Sequence, residues 1–157
     1  MTSYKHTQVG YLMLIVTLAV LGLFAWVYLV ASVEPLSVDA GPNFVISIVM
    51  VLTLLVISSF STLTVLVDEK YVRIRFAYGI YRRKFSINEI SSVKRVKNHW
   101  YHGWGIRMWF WPRYMLIYNV SGFEAVEIIM KNGKIYRIGT DVPEELNEAI
   151  RQFISLK

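Results

Sequence analysis

Cysteine is absent from this chain of 157 residues, which excludes disulfide bridges, thiolate metal sites, cysteine nucleophiles and lipid attachment through sulfur. Charge is also scarce. Only 18% of the residues are Asp, Glu, Lys or Arg while 55% are hydrophobic, and the shortage is concentrated in two stretches within the first 67 positions. Such segregation marks a chain that enters a bilayer. Neither stretch contains Asp, Glu, Lys, Arg or His, so an ion or proton pathway built from this chain alone is not expected.

Catalytic patterns are missing as well. Glu124 and Glu127 fall on opposite faces of one strand-like segment, Gly103-Trp104-Gly105 lacks the strand-to-helix setting of a dinucleotide loop, and Ser121-Gly122 reads as a turn. His99 and His102 stand three apart, but a metal would need a third or fourth ligand, and the neighbouring sequence holds no Asp, Glu or Cys. No cofactor, metal or nucleic-acid partner is expected.

What is present begins with length. Residues 11–33 form roughly 34 Å of helix, enough to cross a hydrocarbon core of about 30 Å. A cleaved signal peptide is the competing reading, with Lys5 as its positive end and Ala31-Ser32 as small residues, but the apolar run exceeds the usual length of such a segment. A second span, residues 44–62, follows the turn-forming Gly41-Pro42-Asn43, and Ser58, Ser59, Ser61 and Thr62 soften its last turn. The chain divides into a transmembrane hairpin, 1–62, and a soluble domain, 63–157.

The net charge of +6 is unevenly placed. Lys5 precedes the first span, Glu34 and Asp39 lie between the spans, and the remainder carries sixteen basic against nine acidic residues, or +7. By the positive-inside rule both termini face the cytoplasm of a multi-pass inner-membrane protein.

Beyond Thr62 the hydrophobic period changes to two. Strands are predicted over residues 62–67, 71–76, 80–85, 92–96, 115–120, 125–130 and 134–138. The first pair turns at Asp68-Glu69-Lys70, and the last at Asn132-Gly133, which suits a two-residue type I′ hairpin. Ser86-Ile87-Asn88-Glu89 fits a capping box over one short helical turn, and Asp141-Val142-Pro143-Glu144 fits another that opens an amphipathic helix with Leu146, Ala149, Ile150 and Phe153 on one face. Seven strands and a terminal helix suggest a small, bent antiparallel barrel or sandwich.

Two short spans ahead of this strand order, with "INEI", "YHGWGIR", "YNVSGFEAVEIIMKNGKIYRIGTD" and "PEELNEAI", resemble the bacterial pleckstrin-homology-like (PH-like) membrane proteins over nearly all of residues 62–155. The resemblance implies fold and class more than mechanism. It departs from lipid-specific pleckstrin homology domains at the first hairpin loop, where Asp68-Glu69-Lys70 replaces a basic phosphoinositide site.

Two surfaces attract attention. Residues 99–115, HWYHGWGIRMWFWPRYM, crowd aromatics around Arg107 and Arg113. Trp and Tyr partition to the headgroup level and arginine pairs with phosphate there, so Trp100, Tyr101, Trp104, Arg107, Trp109, Phe110, Trp111 and Arg113 are expected at the membrane interface. Core filling and a protein interface are the other readings of these aromatics. Arg82, Arg83 and Lys84, together with Lys94, Arg95 and Lys97 on a neighbouring strand, would form a patch for anionic lipid headgroups or a partner. A solvated sheet face explains the same residues equally well.

The leading expectation is a non-enzymatic, membrane-anchored scaffold that meets lipid headgroups, a partner membrane protein or a second copy of itself. Close-packing points for such helix contacts are Gly10, Gly22, Ser58 and Ser59. The alternative is a membrane enzyme or accessory subunit acting on lipid-linked substrates, with His99, His102, Arg107 or Glu124 as participants.

Overall fold

A computed structural model of the chain describes residues 2–33, 41–111 and 113–155. Glu34 and Asp39, the acids expected between the spans, lie outside them. Among the described residues there are nine strands, three α-helices and two 3-10 turns.

The chain opens in a strand, β1 (Thr2–Val9), then enters α1 (Tyr11–Val33) and α2 (Gly41–Ser58), and returns in β2 (Thr62–Asp68). β1 and β2 are antiparallel neighbours, from Thr2 opposite Asp68 to Val9 opposite Thr62. The ladder continues past the last pair, Gly10 N–H donating to the Ser61 carbonyl at 2.6 Å. The two helices are therefore an insertion between adjacent strands. A boundary at 62/63 assigns Thr2–Val9 to the helical unit, whereas these residues complete the first sheet.

β1 escapes a hydrophobicity pattern because its inward side chains are polar. Tyr4 packs on the core, His6 donates to the Asp141 carboxylate at 2.5 Å, and the Gln8 amide donates to the Ser121 carbonyl at 2.9 Å. Gly10 is required where β1 meets α1, since a Cβ there would stand 2.8 Å from the Val120 carbonyl oxygen.

α2 starts earlier than expected, with Gly41-Pro42-Asn43 as its first turn, and ends at Ser58. Proline suits that position because the N–H it lacks would have no helical partner. Ser58, Ser59 and Ser61 each donate their hydroxyl to the carbonyl three residues back, which closes the helix. Within α1, Tyr11–Val30 is long and apolar enough to cross a membrane, and none of that stretch is buried inside the protein. In α2 the apolar run, Phe44–Ser58, is shorter.

β3 (Tyr71–Phe76) and β4 (Arg82–Ser86) complete a first sheet in the order β1-β2-β3-β4. The second sheet contains β5 (Ile90–Lys97), β6 (Gly105–Trp109), β7 (Met115–Asn119), β8 (Glu124–Met130) and β9 (Ile135–Gly139), ordered β5-β8-β9-β7-β6. The seven expected strands all occur. β1 and β6 are additional, β7 and β9 pair in parallel, and the sheets do not close into a barrel.

Val65, Val67, Val72, Ile74, Phe76 and Phe85 of the first sheet share one core with Tyr118, Val126, Ile128 and Ile138 of the second. α3 (Pro143–Ser155) adds Leu146 and Ile150 to it, as the helical spacing predicts.

Two turns differ in detail. Ile87–Glu89 is the expected short turn, but Ser86 makes no side-chain capping bond. At Asn132-Gly133 only the glycine has positive φ, at 79°. Gly133 N–H bonds the Met130 carbonyl, and Met130 N–H bonds that of Lys134, both at 2.9 Å. That geometry is a three-residue loop with glycine at the left-handed position, rather than a type I′ turn.

Candidate functional site

The alternation of β3 leaves Tyr71, Arg73 and Arg75 exposed while Val72, Ile74 and Phe76 are buried. Cross-strand register carries this outer face over the first sheet. Lys5, Leu66, Arg73 and Lys84 stand in one row, and Thr7, Thr64, Arg75 and Arg82 in the next. Five cations thus share one sheet face, around a shallow groove of about 370 Å³. Arg73 faces Lys84 and Arg75 faces Arg82, and like charges directly opposite destabilise a sheet.

Among the described residues, only Arg73 of the five has a carboxylate partner, Asp68 at 2.6 Å. Asp68 also accepts the N–H groups of Lys70 and Tyr71 at 2.9 and 2.8 Å. Burial works to raise its carboxyl, but those two bonds and the Arg73 charge outweigh it and hold the group below the usual carboxylate range.

The groove lies close to the helices. At about 3.3 Å per strand residue, the Thr7 row is roughly 10 Å from Gly10 and the Lys5 row roughly 17 Å.

The expected basic patch is divided. β5 pairs with β8, not β4, so Lys94, Arg95 and Lys97 lie on the second sheet. Acids neutralise them there: Lys94 pairs with Glu127 at 3.1 Å, Lys97 with Glu124 at 3.3 Å, and Arg95 with Glu124 and Glu144. Arg83 stands opposite inward-facing Ile74 and donates to the Tyr136 hydroxyl at 3.3 Å. Arg82 and Lys84 instead join Lys5, Arg73 and Arg75. The exposed alternation of β3 signals Arg73 and Arg75 in the sequence, whereas Lys5 reads only as the flank of a span.

The aromatic segment is divided too. It leaves β5 beside Phe123, where Asn98 N–H donates to the Phe123 carbonyl at 2.6 Å, and makes the turn Trp100–His102. β6 begins at Gly105, next to Phe60 at the foot of α2, and Trp109 is four residues, roughly 13 Å, farther out. Trp100 and Tyr101 are exposed on the turn, and Trp104 is half-buried. Arg107 is exposed and donates to the Trp104 carbonyl at 3.4 Å. Trp109 is half-buried against Met115, Ile117 and Ile135, a small second core on the outer face of the second sheet. Phe110, Trp111 and Arg113 lie beyond it and are exposed.

Other apolar groups gather at the helix foot. Tyr78 and Ile80 are 66% and 76% exposed on the β3–β4 turn, anchored where Ala77 N–H meets the Thr62 carbonyl at 2.9 Å. Nothing in the period-two pattern distinguishes these turn residues.

Of the groups weighed for catalysis, His99 and His102 have ring centroids 5.5 Å apart, and His102 Nδ1 accepts from the His99 N–H at 3.2 Å. That bond leaves the neutral ring's proton on Nε2. Burial, then the Arg137 and His99 charges, push the His102 pKa down. Glu124 is held by Arg95 and Lys97. Among the described residues no three His, Asp or Glu side chains gather as metal ligands do. No protein-family model, curated protein or solved structure matches the chain.

Proposed function

We propose that this protein is a membrane-anchored, non-enzymatic module whose first-sheet basic face engages the phosphate groups of anionic lipids on the cytoplasmic side. The observation that carries this reading is the insertion of both helices between β1 and β2. The chain leaves and rejoins the sheet at Gly10 and Ser61, in direct hydrogen-bond contact. A helix pair anchored there supports a two-span hairpin with both termini on one side, and Lys5 agrees with a cytoplasmic assignment.

The basic rows at roughly 10 and 17 Å from the helix start lie within reach of headgroups for long Arg and Lys side chains. Tyr78, Ile80 and Phe123 add an apolar rim nearer the bilayer. The sequence resemblance supports reading the domain as a PH-like variant, with β1 and β6 as additions.

The test is lipid selection by the full chain in nanodiscs of mixed zwitterionic and anionic lipid. Anionic lipid is expected to be enriched among co-purifying lipids. Changing Arg73, Arg75, Arg82 and Lys84 to Gln should abolish the enrichment, each residue contributing about 1 kcal/mol, or about fivefold. Equal lipid composition for the two proteins would overturn the reading.

A further inference from the structure

The outer face of the second sheet has its own concavity, on the side away from the basic rows. The turn Trp100–His102 folds back over this face and covers part of it, its His102 ring 5.1 Å from that of Trp109. Beside the turn lies a hollow of about 470 Å³, within the range of small-ligand sites. Met115, Ile135 and the Glu127–Arg137 pair line it from below, and Trp111 and Arg113 from the rim.

Two properties of the hollow point the same way. The first is a graded stack of flat rings. His99 and Tyr101 are parallel within 9° at 4.9 Å between centroids, and Tyr101 and Trp109 are tilted by 30° at 5.4 Å. Next to this stack Trp111 is 82% exposed. It lies past the end of β6, more than roughly 13 Å from the foot of α2, so the bilayer surface does not account for an indole left in water.

The second is charge. Lys94, Lys97, Arg113 and Arg137 line the hollow against a single acid, Glu127. Glu127 is already engaged by Arg137 at 2.8 Å and Lys94 at 3.1 Å. A buried carboxylate that satisfies two cations fixes them at the floor, and Glu124 holds Lys97 at 3.3 Å, which leaves Arg113 as the lining cation with no carboxylate partner among the described residues.

We infer that this hollow is a binding site for a small anion that carries a flat ring, of the chemical type of a nucleoside monophosphate. The ring lies against Trp111 and the Tyr101–Trp109 stack, and the anionic group meets the Arg113 guanidinium. Guanidinium pairs with phosphate or carboxylate oxygens in bidentate geometry, and ring stacking tolerates many ring systems. Ring and anion are therefore both needed, and neither alone suffices.

The experiment uses the full chain in nanodiscs of zwitterionic lipid only, so that lipid binding at the basic face makes no contribution. The probes are the four common ribonucleoside monophosphates and indole-3-acetate, followed by microcalorimetry, with inorganic phosphate and adenosine as the single-feature controls. At least one ring-bearing anion should bind saturably at one site. Phosphate and adenosine should each bind at least about tenfold more weakly.

Arg113→Gln and Trp111→Ala, both at exposed positions, should each weaken that binding by about tenfold and leave anionic-lipid enrichment unchanged. If no ring-bearing anion saturates the site, or if phosphate alone binds as well as the ring-bearing anions, the inference fails. It also fails if both variants bind as the parent does. Loss of lipid enrichment in the basic-face variant would leave this result untouched, because the two sites lie on different sheets.

Discussion

Glu127 is the residue on which the second sheet's outer face depends. Its side chain is 6% exposed, and that of Arg137, which bonds it at 2.8 Å, is 16% exposed. Burial works to raise the Glu127 carboxyl, but hydrogen bonds from Arg137 and Lys94 prevail and place it below its ordinary value of 4.5. A depressed carboxyl stabilises the fold at pH above its unfolded value and loses that contribution as pH falls through the folded one. His102, also depressed, binds fewer protons folded than unfolded, so its contribution likewise disappears on acidification, beginning below its ordinary 6.5.

Stability measured by thermal unfolding should therefore decline from about pH 6.5 downward and more steeply below 4.5. Glu127→Gln should cost about 3 kcal/mol at neutral pH, because it strands Arg137, and should flatten the lower limb of the profile. A parallel downward shift with the limb retained would mean that other carboxyls carry it. A second residue-level expectation concerns Gly10. Gly10→Val places a Cβ against the Val120 carbonyl and should cost about 1–3 kcal/mol, read as a lower unfolding midpoint.

At the level of elements, legibility followed side-chain polarity. β2, β3, β7, β8 and β9 alternate or run apolar because they border the core, and they stand within a residue or two of their predicted bounds. β1 carries Tyr4, His6 and Gln8 inward, partnered across the fold by Asp141 and Ser121, and no local pattern foretells partners more than a hundred residues away. β6 was hidden within an aromatic run whose composition suggested lipid contact. Its strand separates that run into an end near the helices and an end remote from them. The basic patch was half legible: Arg82 and Lys84 were identifiable, but pairing them with Lys94, Arg95 and Lys97 required a β4–β5 neighbourhood that the register does not provide.

The absence of cysteine makes this division testable by single-site labelling. A nitroxide at Ile80→Cys should show headgroup depth, with high oxygen and low polar-reagent accessibility. One at Trp111→Cys should be as accessible to water as a label on any exposed loop. Equal depth for the two labels would contradict the register-based placement of β6.

For the whole molecule, the decisive property is that the helices interrupt a β-hairpin without interrupting its ladder. Gly10 and Ser61 are already hydrogen-bonded, and β1 and β2 stay in register from Val9 opposite Thr62 to Tyr4 opposite Val67, with an irregularity only between Tyr4 and Thr2. The domain's core is composed of both sheets and α3, and among the described residues neither α1 nor α2 contributes a buried core residue to it. The insertion therefore adds little to the domain's internal stability. Replacement of residues 11–60 by Asn-Gly should join Gly10 to Ser61 through a two-residue turn of the kind that matches strand twist. The product is expected to be water-soluble and monomeric, to unfold cooperatively, and to protect the amides of β1 and β2 from hydrogen exchange as the full chain does. Its affinity for anionic vesicles should fall steeply with salt, because the five cations of the outer face remain while the anchor is gone. An aggregated product, or one in which the β1 amides exchange freely, would show that the helices hold the first sheet together. The basic rows would then be positioned by the bilayer rather than by the fold.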